Sequence, residues 1–249
     1  MKKVFILSWF ILGGLIGSAQ QQEQMYPTVL VELFSSEGCS SCPLADAFLQ
    51  EMMALADSNK LPVFFLDYHV DIWNKSGWVD SFSDTSFSRR QREYMVKNKQ
   101  QALFTPMIFV NGRGALPGSA KKEVGKLVNE NMYAEPTTLL STRAGYVQAT
   151  NTLILNYEIT GKTDSCNLNL VLAYREVKSE ITGGENKGQT LTHHHTVKDW
   201  KWFPIHSSKK GKIEMALPSD VKLSDLILIS FVQHEPTWKV YATDQLMFR

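Results

Sequence analysis

Two cysteines separated by two serines are the residues of this chain best suited to chemistry. Cys39 and Cys42 form a C-x-x-C pair, the spacing at which two thiols interconvert with a disulfide. Apolar residues after the pair recur at helical spacing, so a helix is predicted to begin at the cysteines. A thiol there faces unpaired N–H groups and the positive end of the helix dipole, which favour the thiolate. We therefore expect Cys39 to be the nucleophile and Cys42 to be the resolving thiol.

An inert disulfide is the alternative for this pair. Closing so small a ring removes little chain entropy, which makes stabilisation a weak reason for its presence. A structural zinc site is not predicted, because it would need two such pairs or additional spaced histidines, and the only other cysteine is Cys166. No metal and no cofactor is expected. Cys166 shares its strand parity with inward-facing leucines and is predicted to be a buried free thiol.

The elements that must position the dithiol alternate between strands and helices. Residues 28–34 are apolar and β-branched and predict a central strand, a second buried strand covers residues 63–70, and a helix lies between them. Such a unit forms a right-handed parallel crossover. A helix over residues 88–99 follows, with Arg89, Arg90 and Arg92 expected on its solvated side. Asn111 and Gly112 then predict a hairpin, and a helix over residues 120–132 ends the order β-α-β-α-β-β-α.

Beyond Pro136 the pattern changes to alternating apolar and polar residues. Strands are predicted near residues 153–159, 168–174, 191–197, 213–217, 226–232 and 238–242, with no helix between them. The predicted fold is thus an α/β domain over residues 26–133 followed by an all-β, sandwich-like domain over residues 137–249. In the tract His193–His195, alternation places His193 and His195 on one face, which makes only a weak two-ligand metal site.

Three sequence blocks carry a family resemblance. The strings VELFSSEGCSSCPLAD, YHVDIWNKSGW and FTPMIFVNG, in this order, resemble the DUF1223 family of exported thioredoxin-like proteins. The resemblance implies a thioredoxin-like fold for the first domain. It also implies that Pro106 belongs to a cis-proline loop facing the dithiol, and that Glu32 lies near the position where thioredoxins keep a buried acid that relays a proton for the resolving cysteine.

His69 is a further candidate for proton transfer. His69 and Asp71 come at the end of the second predicted strand, and the carboxyl ends of parallel strands form the functional edge of an open sheet. The same edge carries Cys39. His69 could therefore tune or deprotonate the thiol, although a structural hydrogen bond is the alternative.

The N-terminus indicates where the protein acts, and the overall charge indicates which partners are not expected. Lys2 and Lys3 precede an apolar run and the small residues 17–19, which predicts a signal peptide over residues 1–19 and export to the periplasm or the medium. Without Lys2 and Lys3 the net charge is about −1, which gives no electrostatic reason to expect nucleic acid or an anionic membrane as partner. No later stretch is long enough to span a bilayer.

These observations favour an extracytoplasmic thiol–disulfide oxidoreductase acting on protein thiols, protein disulfides or small thiols. Cys39 would attack, Cys42 would resolve, Pro106 would position the partner, and Glu32 or His69 would handle protons. Two alternatives stay open. The protein could be a cell-surface binding protein with a structural disulfide, or a copper-delivery protein that uses the dithiol together with His69.

Overall fold

The fold is described from a computed structural model, which covers residues 26–205 and 208–248. The predicted signal peptide, residues 1–19, lies outside the described residues. The elements are, in chain order, β1 (Val29–Ser35), α1 (Cys42–Asn59), β2 (Val63–His69), α2 (Thr85–Lys97), β3 (Met107–Val110), β4 (Arg113–Pro117), α3 (Lys121–Met132), β5 (Thr138–Val147), β6 (Thr152–Gly161), β7 (Cys166–Glu180), β8 (Thr190–Pro204), β9 (Lys210–Ala216), β10 (Leu226–His234) and β11 (Val240–Met247). The first seven elements follow the predicted order.

One large mixed sheet runs through the described residues. Its strand order is β11-β10-β7-β8-β2-β1-β3-β4, with β1 parallel to β2 and antiparallel to β3. Strand β8 joins β2 in parallel at one bridge, Asp67 opposite Thr196. The segments 26–133 and 137–249, predicted as two domains, thus contribute strands to the same sheet. Their division into two domains stays a prediction.

Helices and a second sheet cover this large sheet. Apolar residues of α1 and α3 pack against one face of β1, β2 and β3. The other face of these strands forms a second apolar cluster with α2, and this cluster extends to β7 and β10. The second sheet, ordered β5-β6-β9, packs against β7 and β10 through leucine-rich faces. The protein is therefore a mixed α/β fold dominated by sheets.

Helix α2 differs from its prediction in two ways. It begins at Thr85, three residues earlier than expected, because Asp84 caps it by accepting a hydrogen bond from the Ser86 amide. Arg90 was expected on the solvated side but is only 1% exposed. The prediction was wrong because strands of the second half of the chain cover this face of α2: Trp200 of β8 and Phe231 of β10 both pack on the guanidinium.

The predicted hairpin at Asn111 and Gly112 is confirmed. Strands β3 and β4 pair antiparallel, and both turn residues have positive φ, +46° for Asn111 and +78° for Gly112. A glycine is required at position 112, since a Cβ there would lie 2.0 Å from the carbonyl oxygen of Trp238. The turn thereby packs against the connection between β10 and β11, where the Val240 amide donates to the carbonyl oxygen of Asn111 at 3.2 Å.

Candidate functional site

The dithiol lies where β1 leads into α1. Cys39 and Cys42 form a disulfide with a Cα–Cα separation of 5.4 Å, and Cys42 is the first residue of the helix. Pro43 follows within the first turn, where its missing N–H has no helical partner to lose. Cys39 is 2% exposed and Cys42 is 1% exposed. The sulfur atoms are therefore placed as predicted relative to the helix, but they are covered.

A loop from the second half of the chain covers the dithiol turn. This cover loop, residues 181–189, connects β7 to β8. Within it, Asn186 is buried and donates hydrogen bonds to the carbonyl oxygens of Glu37 and Cys39, at 2.8 and 3.0 Å. The carboxylate of Glu185 accepts a hydrogen bond from the Ser40 amide at 2.9 Å. The cover loop thus satisfies backbone groups of the dithiol turn that would otherwise lack these hydrogen bonds.

Changing Asn186 to alanine should make the disulfide easier to reduce. The substitution removes two hydrogen bonds, each contributing about 0.5–1.5 kcal/mol, so opening of the cover loop should become on the order of tenfold more frequent. The measurement is the rate of reduction by dithiothreitol, followed by mass spectrometry. Lys187→Ala is the matched control, because Lys187 is exposed in the same loop. Equal rates for both variants and the parent protein would contradict a gating role.

Pro106 is brought to the dithiol. The Thr105–Pro106 peptide bond is cis, and the carbonyl oxygen of Thr105 lies 3.7 Å from Cys39 Sγ. Trp73 donates from Nε1 to the Thr105 hydroxyl at 2.7 Å. Gly118 packs against the proline, since a Cβ at that position would lie 2.7 Å from Pro106 Cγ. The proline loop is therefore held from two sides beside the sulfur that was predicted to be the nucleophile.

Glu32 is not brought to the dithiol. Its carboxylate receives hydrogen bonds from Arg90, at 2.6 Å from Nη2 and 3.0 Å from Nε, and a further one from the Tyr94 hydroxyl. Burial acts to lower the pKa of Arg90, but the facing Glu32 carboxylate outweighs it and raises that pKa, so the guanidinium stays charged. The carboxylate is thus occupied by a buried ion pair with α2, and the geometry assigns it a structural contact.

His69 lies in a buried polar cluster behind the dithiol turn. Its Nδ1 is 2.8 Å from Asp80 Oδ2 and its Nε2 is 3.1 Å from Asp67 Oδ2. Asp80 also accepts a hydrogen bond from the amide of Glu37, two residues before Cys39. Asp67 accepts one from the Ser35 hydroxyl at the end of β1. His69 is therefore linked to the dithiol turn through carboxylates.

The second half of the chain adds His193 to this cluster. His193 lies on β8, is 1% exposed, and stacks edge-on against His69 with ring centroids 4.6 Å apart. Its Nδ1 is 2.9 Å from Oδ2 of Asp46, which lies one helical turn after Cys42. Its Nε2 is 3.5 Å from Oε1 of Glu37. We call the six residues the buried polar cluster; they are Glu37, Asp46, Asp67, His69, Asp80 and His193.

Carboxylates control the charge of both histidines. Burial acts to lower the pKa of His69, but Asp80 and Asp67 outweigh it and hold that pKa well above its usual value. For His193, burial is again opposed, here by the nearby carboxylates of Asp46 and Glu37, and the pKa rises to about 9. In the absence of a bound metal ion, both imidazoles are therefore protonated and positively charged at neutral pH.

The pKa values of the carboxylates in this cluster are shifted in different directions. Burial, reinforced by the nearby charge of Asp67, raises the pKa of Asp46. Burial also acts to raise the pKa of Glu37, but the facing His193 imidazole prevails and the pKa is lowered. The pKa of Asp80 is likewise lowered, because His69 outweighs the effect of burial. Of these three groups, Asp46 is therefore the one whose pKa shift favours the protonated form.

The sequence held a signal for part of this cluster. Asp67 and His69 alternate in an otherwise apolar strand, so their side chains must share one face, and a buried acid beside a buried histidine is a recognisable pattern. Glu37 and Asp80 lie in loops without such a pattern. His193 stands 147 residues from Asp46, and no local spacing links them.

His195 and Cys166 lie outside this cluster. His195 has a positive φ of 53° and contacts the carbonyl oxygen of Phe65 at 3.0 Å. Burial lowers the pKa of His195 to about 4, so this ring is neutral at neutral pH. Cys166 is buried and free, as predicted, and burial raises the pKa of its thiol to about 11. Cys166 is therefore an unreactive, structural thiol.

Fold and site together define a mixed α/β protein in which a covered disulfide at a helix start adjoins a buried cluster of acids and histidines. The family model for the protein of unknown function DUF1223 matches residues 30–233. The chain therefore belongs to the DUF1223 family. A comparison with curated protein sequences found no match.

One solved structure supports the overall fold, and two others match with low TM-scores. A crystal structure of a protein from Agrobacterium tumefaciens is similar with a TM-score of 0.67 and 23% identity, covering 90% of this chain and 96% of that one. A domain of the outer membrane lipoprotein Omp28 from Porphyromonas gingivalis matches with a TM-score of 0.28 and 12% identity, over 47% of this chain and 91% of that one. A β-glucuronidase from Lactobacillus rhamnosus matches with a TM-score of 0.24 and 13% identity, over 45% and 15%. Within residues 26–205 and 208–248, no helix combines the length and the hydrophobicity of a membrane span.

Proposed function

We propose that this protein is an extracytoplasmic thiol–disulfide oxidoreductase in which Cys39 attacks, Cys42 resolves and Pro106 positions the partner. The observation that carries the proposal is the 3.7 Å contact between Cys39 Sγ and the Thr105 carbonyl oxygen. It puts the disulfide beside a backbone segment to which an extended polypeptide can pair. Protein thiols, protein disulfides and small thiols are the proposed substrates.

The arrangement of the first seven elements supports a thioredoxin-like assignment for residues 26–133. Strands β2, β1, β3 and β4 are adjacent in that order, α1 and α3 lie on one face, and α2 lies on the other. The sandwich-like segment, residues 137–249, supplies the cover loop. We propose that residues 1–19 direct export, which would bring the dithiol into a compartment where disulfides persist.

In the proposed reaction, the Cys39 thiolate attacks a disulfide of the partner. A mixed disulfide forms at Cys39 and one partner sulfur leaves as a thiolate. The Cys42 thiolate then attacks Cys39 Sγ, which closes the intramolecular disulfide and releases the second partner thiol. Two electrons pass from the dithiol to the partner, and the reverse sequence oxidises a partner dithiol. The buried polar cluster lies one helical turn beyond Cys42, through Asp46, and Asp46 is the proposed proton acceptor in place of Glu32.

The equilibrium reduction potential of the Cys39–Cys42 pair tests the proposal. It should lie between about −120 and −270 mV, the range of exchange-active dithiols. The measurement uses glutathione buffers and a Cys166→Ala background, so that only the pair titrates. A potential below about −300 mV, with no reaction at Cys39, would mark a structural disulfide and contradict the proposal.

A binding protein is the second candidate, and the observation that favours it is the 2% exposure of Cys39. Reactive cysteines are accessible, whereas structural disulfides are buried. In that case residues 137–249 would engage a cell-surface partner and the disulfide would only hold the turn in place. The reduction potential separates the two candidates, because only the oxidoreductase needs a pair that exchanges with glutathione.

A further inference from the structure

We propose that the buried polar cluster is a site for a divalent metal ion of the zinc type, bound by Asp67, His69, His193 and Glu37. One ligand atom from each of Asp67, His69 and His193 lies within 4.8 Å of the others. Glu37 extends the set, because its Oε1 is 3.5 Å from His193 Nε2. The proposed site contains neither cysteine and does not depend on redox activity of the dithiol.

Two ligand atoms of the proposed site face each other without forming a hydrogen bond. Oε1 of Glu37 and Nε2 of His193 are buried atoms without a hydrogen bond, on side chains that are 0% and 1% exposed. Leaving such atoms unpaired inside a protein is costly, and native structures rarely do so. A cation between them would satisfy both the carboxylate oxygen and the imidazole nitrogen.

The opposite edge of each imidazole is already fixed by a carboxylate. His69 Nδ1 contacts Asp80 at 2.8 Å, and His193 Nδ1 contacts Asp46 at 2.9 Å. Histidines that bind metals usually donate their other ring N–H to a carboxylate, which orients the ring and fixes its tautomer. Both rings therefore present Nε2 as the atom left for a metal.

Distances and charge fit a closed four-ligand zinc site. Zn–N and Zn–O bonds of about 2.0–2.1 Å in a tetrahedron place neighbouring ligand atoms about 3.3 Å apart. The pair His69 Nε2 and Asp67 Oδ2 is 3.1 Å apart, and the pair His193 Nε2 and Glu37 Oε1 is 3.5 Å apart. Four carboxylates surround two imidazoles here, and a divalent cation would take the place of the two Nε2 protons, so the charge balance of the cluster would be kept.

Zinc binding to the purified, oxidised protein tests the proposal. We expect one zinc ion per chain after gel filtration, measured by elemental analysis. Changing His193 to Asn should weaken zinc binding at least about 100-fold, and changing Asp80 to Asn should weaken it about 10–100-fold, the range for groups that orient a ligand. His195→Asn is the matched control. It lies on the same strand, and asparagine tolerates the positive φ at that position, so its affinity should equal that of the parent protein.

Two further measurements separate this site from the dithiol. The double variant Cys39→Ser, Cys42→Ser should retain one zinc ion, and loss of zinc in that variant would overturn the proposal. X-ray absorption of the zinc-loaded parent protein should show only nitrogen and oxygen ligands, including two imidazoles, even where a His193 variant fails to fold. Sulfur ligation, or less than about 0.1 zinc per folded chain at micromolar free zinc, would also overturn it.

Discussion

Changing Cys39 to Ser should reduce thiol–disulfide exchange to the uncatalysed rate, whereas changing Cys42 to Ser should trap partners as mixed disulfides. A serine at position 39 removes the sulfur that attacks, and serine cannot form the intermediate. A serine at position 42 leaves the attack intact but removes the thiol that releases the partner. Adducts are measured on non-reducing gels and identified by mass spectrometry after isolation of the protein.

Cys166→Ser is the control for these variants. Cys166 is buried and its thiol has a raised pKa, so its loss should leave both the exchange rate and the adduct pattern unchanged. The oxidoreductase proposal would be contradicted, and the binding protein favoured, by two results together. These are the absence of adducts in the Cys42→Ser variant and an exchange rate in the Cys39→Ser variant equal to that of the parent protein. The double variant Cys42→Ser, Asn186→Ala extends the test, because it removes the hydrogen bonds that hold the cover loop on the dithiol turn.

Local signals predicted the order of elements and the position of the dithiol. The apolar strand before the cysteines, the helical spacing after them and the Asn111–Gly112 pair each depend on neighbours in the sequence, and the structure has each of these features. Cys166 was assigned inward from strand parity alone, and it is buried. These features are set by side-chain periodicity and turn chemistry within about ten residues.

Contacts between the two halves of the chain could not be predicted in this way. Periodicity shows which face of a strand is apolar, but it does not show which strand lies beside it. The single bridge between Asp67 and Thr196 joins the halves, and it brings His193 to His69. The cover loop reaches the dithiol turn for the same reason, since it directly precedes β8. The sequence therefore indicated Asp67 and His69 of the candidate site, whereas His193, on the distant strand β8, could be placed only from the structure.

Glu32 shows how a resemblance can fix a position without fixing a role. The residue lies on the strand that leads to the dithiol, as the resemblance implied, and it is fully buried. Its carboxylate, however, is taken up by Arg90 and Tyr94. The carboxylate is therefore engaged by α2 and not by the dithiol turn. The acid nearest the resolving cysteine along α1 is Asp46 instead.

Changing Arg90 to Met should lower the free energy of unfolding by about 3–5 kcal/mol, because it leaves the buried Glu32 carboxylate without its partner. The guanidinium also lies over the rings of five aromatic residues, at 4.7–5.4 Å from their centroids: Tyr68, Tyr94, Trp200, Phe231 and Trp238. Three of these belong to the second half of the chain, so Arg90 ties the halves together. Denaturant unfolding in urea measures the loss.

The matched control is Arg89→Met on the exposed neighbour, which should change the free energy of unfolding by less than about 0.5 kcal/mol. The double variant Glu32→Gln, Arg90→Met should be more stable than Arg90→Met alone, because it no longer buries an unpaired charge. The ion pair would be shown not to stabilise the contact between the two halves of the chain by either of two results. One is a decrease in the free energy of unfolding below about 1 kcal/mol for Arg90→Met, and the other is a double variant no more stable than Arg90→Met alone. Recovery would instead establish that charge burial, beyond the lost aromatic contacts, makes Arg90 necessary where the two halves of the chain meet.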